Sequence, residues 1–186
     1  MNPMRGVLIV AVTALLAVGC GSSGNGTDAA MASSTGTGTL DSPDVAGILI
    51  AAHSGEIQMA QAALPKLTSP ATRDFANMMI SDHTMGLNEA RGMFASASIV
   101  PRSSSATASM LRDSVKRTIT SFSNATTNAD RQYMQSQVDA HQNLLVTIDA
   151  QMMPAAHGDL LNLLQRQRAS VAAHLDRARQ VLAGLR

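Results

Sequence analysis

The chain of 186 residues contains no tryptophan, one tyrosine and three phenylalanines. A platform that stacks sugars or nucleobases needs several aromatic faces, so those ligand classes have no seat here. Fourteen basic residues face thirteen acidic ones with no basic stripe, which removes the electrostatic footprint of a nucleic-acid binder. Cysteine occurs once, at Cys20, so no disulfide can form within the chain. Glutamate occurs twice, as Glu56 and Glu89, and no Glu-x-x-His is present. Oxygen-activating di-iron bundles use several glutamates and paired Glu-x-x-His motifs, which counts against that chemistry here; His53 and Glu56 offer only the reverse order. A Gly-rich phosphate loop, a Gly-x-Ser-x-Gly elbow and a Cys-His pair are all missing. The sequence therefore displays no catalytic constellation.

The amino terminus carries a targeting pattern. Arg5 precedes an uncharged apolar run, Gly6 to Val18, of 13 residues. A bilayer span takes about 20 residues, so the run suits the apolar core of a signal peptide. Gly19-Cys20 follows directly, resembling a bacterial lipobox, although Ala17 stands where leucine is usual and Leu16 lies one place earlier. This predicts a signal peptide over 1–19, lipidation of Cys20 and export to the cell envelope. The competing reading makes Cys20 an ordinary residue beside a plain signal-peptidase site. Gly21, in place of the aspartate that retains lipoproteins at the inner membrane, favours the outer membrane where a cell has two. Residues 20–41 are rich in Gly, Ser, Thr and Ala and read as a flexible tether, so membrane contact is expected only through the lipid.

Residues 42–186 are expected to form one all-α domain, because Pro and Gly become scarce and apolar residues recur at helical spacing. Ser42-Pro43-Asp44 and Ser69-Pro70 are helix starts. The first predicted helix runs to about Leu64, with Ile48, Ala52, Ile57 or Met59, and Ala63 inward. The second runs to about Ala97, with Phe75, Met79, Ala90 and Phe94 inward. Thr127 and Asp130 resemble a capping box that opens a third helix through Met134, Val138, Leu145 and Ile148 to about Met152, where Pro154 ends it. A fourth runs from about Gly158 to Leu185 through Leu160, Leu164, Val171, Leu175, Ala178 and Leu182. The intervening residues 98–126 are expected to be a long crossover, helical near Met110 to Phe122. Two short connections flanking a long one describe a ferritin-like four-helix bundle.

Each of these four helices carries one polar residue on its inward side: Glu56, His83, His141 and His174. Measured from the two short connections, all four fall near mid-helix. Three imidazoles and a carboxylate make a first shell for Zn, Fe, Mn or Cu. Asp82 and Asp139 flank two of the histidines as outer partners or extra ligands. The alternative is a set of polar core residues that hydrogen-bond among themselves or reach the rim. Met59, Met78, Met79, Met85, Met93, Met134, Met152 and Met153 make the helices rich in thioether, which ordinarily fills gaps. A soft-metal role for it would centre on His83-Thr84-Met85 and Met152-Met153. His157 falls in a connection and is expected to be solvated.

Several blocks carry a family resemblance: His53-Ser54-Gly55-Glu56-Ile57, Asp74-Phe75-Ala76-Asn77-Met78-Met79-Ile80-Ser81-Asp82-His83-Thr84, Asp130-Arg131-Gln132-Tyr133-Met134 leading to His141, and His174-Leu175-Asp176-Arg177-Ala178. In this order they resemble an uncharacterised family of exported bacterial proteins with a ferritin-like domain of unknown function. The resemblance spans about residues 45 to 185. It implies the bundle, the export signal and a set at Glu56, Asp82, His83, His141 and His174, and it implies no activity. Three functions remain open on the sequence. The first is a metal-binding bundle for sequestration, delivery or stress protection; the second is a non-enzymatic envelope module without metal that binds an unidentified protein partner. A metal-dependent oxidase or hydrolase ranks last, since it needs an open coordination position and a substrate cleft and the sequence displays neither.

Overall fold

The computed structural model describes residues 39–124 and 127–185; the expected signal peptide, Cys20 and nearly all of the tether lie outside the described residues. The described residues form helices joined by short connections, with no strand, and five long helices dominate them. No helix among them is long and apolar enough to cross a membrane.

Helix α1 spans Ser42–Ala63, with Pro43 in its first turn. Its cap is Asp41, one residue before the Ser42-Pro43-Asp44 start signal, in which Ser42 is the expected cap. The Asp41 carboxylate accepts from the Asp44 N–H at 2.9 Å, and the Asp44 carboxylate accepts from the Asp41 N–H at 3.4 Å. This capping box uses two acids, which the helix's positive end also favours. Helix α2, Pro70–Ser96, starts at Ser69 as expected, its hydroxyl accepting from the Thr72 N–H at 3.5 Å.

The predicted Thr127 and Asp130 capping box does not form. Helix α4, Ala129–Thr147, starts at Asn128 in a left-handed conformation with no side-chain cap. Asp130 instead accepts from the backbone of Thr68 and Ser69 and from the Thr68 hydroxyl, between 2.6 and 3.2 Å. Its carboxylate thereby ties the α1–α2 connection to the start of α4. Those hydrogen bonds hold its pKa below the usual carboxylate range against a raising effect of burial. Helix α4 continues through a widened π-turn, Ile148–Met152, and a last turn, Met153–Ala155. The widening directly precedes Pro154, whose ring would crowd the carbonyl four residues back in a regular helix. Helix α5, Gly158–Gly184, completes the fold.

The helix expected within the crossover near Met110 to Phe122 is present and longer at both ends: α3 spans Ala106–Asn124. It packs against α1 and buries Ala108 and Phe122. Helix α1 also packs against α2, α4 packs against α5, and α2 meets α5.

Two apolar clusters fill the interior. One contains Val45, Ile48, Leu49, Ala90, Phe94, Leu144, Ile148, Leu160, Leu163, Leu164 and Val171. The other contains Ala60, Ala63, Phe75, Met79, Tyr133, Met134, Val138, Leu175 and Ala178. The boundary falls between Ala51 and Met59 on α1, Met79 and Ala90 on α2, Val138 and Leu144 on α4, and Val171 and Leu175 on α5. His53, Glu56, His83, His141 and His174 occupy those four intervals and are all buried. A polar layer thus cuts the hydrophobic core at mid-height.

The link from α2 to α3 clasps the start of α1. The Arg102 N–H donates to the Pro43 carbonyl at 2.8 Å, and its guanidinium pairs with Asp41 at 2.9 Å and Asp44 at 2.8 Å. Gly47 permits this crossing: a Cβ there would stand 1.8 Å from the Arg102 carbonyl oxygen. A backbone atom cannot swing aside as a side chain can. Gly47→Ala is therefore expected to destabilise the fold by about 2 kcal/mol or more, although alanine ordinarily favours a helix. A urea midpoint equal to or above the parent's would contradict this.

Candidate metal centre

The four helices α1, α2, α4 and α5 deliver one histidine each to the polar layer: His53, His83, His141 and His174. Ring centroids lie 5.9 Å apart for His83 and His141, 5.5 Å for His141 and His174, and 5.2 Å for His83 and His174. One ring nitrogen from each of these three lies within 4.8 Å of the other two, so the three could hold a metal ion.

Each of the three has one nitrogen engaged and the other without a partner. His141 donates from Nδ1 to the Gln137 carbonyl at 2.9 Å, leaving Nε2 as the lone-pair nitrogen of the neutral ring. His174 donates from Nε2 to the Asp82 carboxylate at 3.1 Å, leaving Nδ1 free. His83 meets His53 through Nδ1 of both rings at 3.1 Å; the tautomer in which His83 donates leaves its Nε2 as a lone pair. His83 Nε2, His141 Nε2 and His174 Nδ1 are all buried with no hydrogen bond. Metal-binding histidines are commonly oriented this way, one nitrogen fixed by a carbonyl or carboxylate and the other offered to the ion.

The layer keeps its imidazoles neutral. Burial pushes His53 and His141 down to about 4, and pushes His83 well below the ordinary histidine value. Burial also lowers His174, as does His141, against the raising effect of Asp82. Neutral imidazole is the ligating form. Burial raises Glu56 to about 7, opposed by Gln137 and His174 beside it. Gln137 is close enough to favour the Glu56 carboxylate, yet neither of its amide atoms meets hydrogen-bond geometry, and Glu56 Oε2 is also left without a partner.

His83, His141 and His174, expected from the sequence, thus come together. Glu56 is buried in the same layer but does not join the group within 4.8 Å. Instead it lines a groove shared by α1, α3 and α4. Asp82 sits against His174. Asp139 does not reach the histidines: it is exposed and accepts from the Gln135 side chain at 2.9 Å. Met85, 61% exposed, is no part of a thioether core, while Met59, Met79, Met134 and Met152 are buried in it. His157 is exposed, as expected.

Residues that sequence reasoning missed complete the layer. His53 lies one helical turn before Glu56, and that spacing was a usable signal. The room for its ring comes from another helix: a Cβ on Gly86 would approach His53 Cε1 to 2.6 Å. Gly86 is three residues after His83, so α2 presents a ligand and a recess on one face. Gln137 and Gln167 are also buried, and the Gln167 amide reaches the Glu89 carboxylate at 3.3 Å. Tyr133 is fully buried, edge-on to Phe75 and Phe122, its hydroxyl without a partner and its pKa raised by burial and by Glu56.

Fold and site together define an all-helical protein with a buried histidine layer across its core. The chain belongs to the family described as Domain of unknown function (DUF4142), which matches residues 27–181. No curated protein and no solved structure matches the chain.

Proposed function

We propose that this protein is an exported, lipid-anchored bundle of the cell envelope that holds a transition metal between its helices, for sequestration or protection against metal stress. On this reading α1, α2, α4 and α5 are a ferritin-like four-helix bundle with α3 as a helical crossover. The lipid on Cys20 tethers it to the membrane, at the outer membrane where two are present.

The observation that carries the metal reading is the set of three buried lone-pair nitrogens gathered from three helices. A buried polar atom without a partner costs about 1–3 kcal/mol, and this layer contains several at one depth. An ion that accepts all three nitrogens removes that cost together. The donors are nitrogen rather than carboxylate, which suits Zn, Cu or Fe better than Mn and differs from a carboxylate-bridged ferritin centre.

The test is elemental mass spectrometry on the full chain, purified in mild detergent without a polyhistidine tag. About one ion per chain is expected, lost in both His83→Ala and His141→Ala. Parent protein that stays folded but takes up none of Zn, Fe, Mn or Cu would overturn the reading. It would leave the bundle as an interaction module with a polar core.

A further inference from the structure

The histidine triad supplies three donors and stops there. Among the described residues neither Glu56, Asp82 nor Glu89 brings an oxygen into the group within 4.8 Å. A structural Zn-type site is closed by four protein ligands, whereas three leave a position for an outside molecule. The surroundings give that position a route. A cavity of about 310 Å³ lies between α2 and α5, and His83 and His174 line its wall with His53, Asp82, Gly86 and Ser170. His141 is fully buried and no part of that wall. Ser170 is small and exposed at the cleft wall, while the space beside Gly86 is taken by the His53 ring. Glu56 faces the separate groove between α1, α3 and α4.

Charge selects the visitor. Three neutral imidazoles leave a divalent ion uncompensated, and Asp82, acting through His174, offsets one of its two charges. Glu89, also on the cleft wall, is paired with Arg166 at 2.7 Å. The remaining positive charge favours a small anion over a neutral molecule of the same size.

Building on the metal reading above, we infer that an ion held by His83, His141 and His174 keeps an exchangeable coordination position. This position opens into the cleft between α2 and α5 and binds a small monovalent anion. The site is then a centre that exchanges ligands with solvent, not a sealed store.

Cobalt(II) tests this, because its visible bands report coordination without any assumption about activity. The full chain is loaded with cobalt(II) and titrated with sodium azide. The expected result is a saturable shift of the visible bands at one azide per cobalt. Ser170→Trp, at an exposed position on the cleft wall, is expected to keep the cobalt stoichiometry and lose the azide response. Cobalt bands that azide leaves unchanged in the parent would overturn the inference while leaving the metal site standing. A response that then emerges in Glu56→Gln would identify Glu56 as the fourth ligand that had closed the shell. Protein that takes up neither cobalt nor any of Zn, Fe, Mn and Cu would overturn the metal reading itself, and the anion position with it.

Discussion

Acidification from about pH 7.5 to about pH 4 is expected to remove several kcal/mol of stability from the metal-free protein, much of what a domain this size possesses. The unfolded chain protonates its histidines near 6.5, whereas burial holds His53 and His141 at about 4 in the fold. Between those values the unfolded state binds more protons than the folded one, so stability falls as pH falls. Each of these two shifts corresponds to about 3 kcal/mol. His83 and His174, both lowered, act in the same direction. Glu56 acts in the opposite one: its ordinary value of 4.5 is raised to about 7, so the folded state binds the extra proton in that interval. One carboxyl offsets about one histidine, and the histidines outnumber it. Lowered carboxylates such as Asp130 titrate below this window. Urea unfolding followed by circular dichroism at successive pH values measures the slope directly. Stability that is flat or rises toward pH 4 would show that the histidines are not buried neutral. Because bound metal requires neutral imidazoles, metal should also be released in this window.

Replacing His141 by leucine should make the metal-free protein more stable, not less. His141 is fully buried, with Nε2 unpartnered, between Val138 and Leu144 on α4. Leucine has a similar bulk and removes the desolvated nitrogen, for a gain of about 1–3 kcal/mol. His141→Ala leaves a cavity instead and should lose stability. Both variants should lose the stabilisation that added metal gives the parent. Thermal melts with and without metal separate the possibilities. Leucine destabilising as much as alanine would mean that the imidazole's polar contacts, such as the bond to the Gln137 carbonyl, and not its bulk, support the fold. A more stable variant that binds no metal would mark the histidine as held for function at a cost in stability, as active sites often are.

The helices were legible because their signals are local. Ser69-Pro70 begins α2, Pro154 follows the end of the regular part of α4, and Phe75, Met79, Leu160 and Leu164 repeat at helical spacing and are buried. The inward placement of His83, His141 and His174 followed from the same periodicity. Cap identity was less legible. Asp130 looked like a cap because Thr127 stands three residues before it, but its carboxylate found the Thr68 and Ser69 N–H groups, partners 61 and 62 residues away. Helix α3 was legible only near Met110 to Phe122 because it is largely polar, and only its packing against α1 shows which side is inner.

By itself, then, the sequence determined an all-helical domain and three histidines at one depth, since helical period and spacing between breakers are properties of a single chain segment. Tertiary structure alone decided which nitrogens are left open, because that depends on partners from other segments: the Asp82 carboxylate for His174, and His53 for His83. It also decided that His53 joins the layer, through the space that Gly86 leaves on α2, and that Glu56 turns toward another groove. Direction across a core is set by what the neighbouring helix leaves vacant, and no spacing within one helix records it.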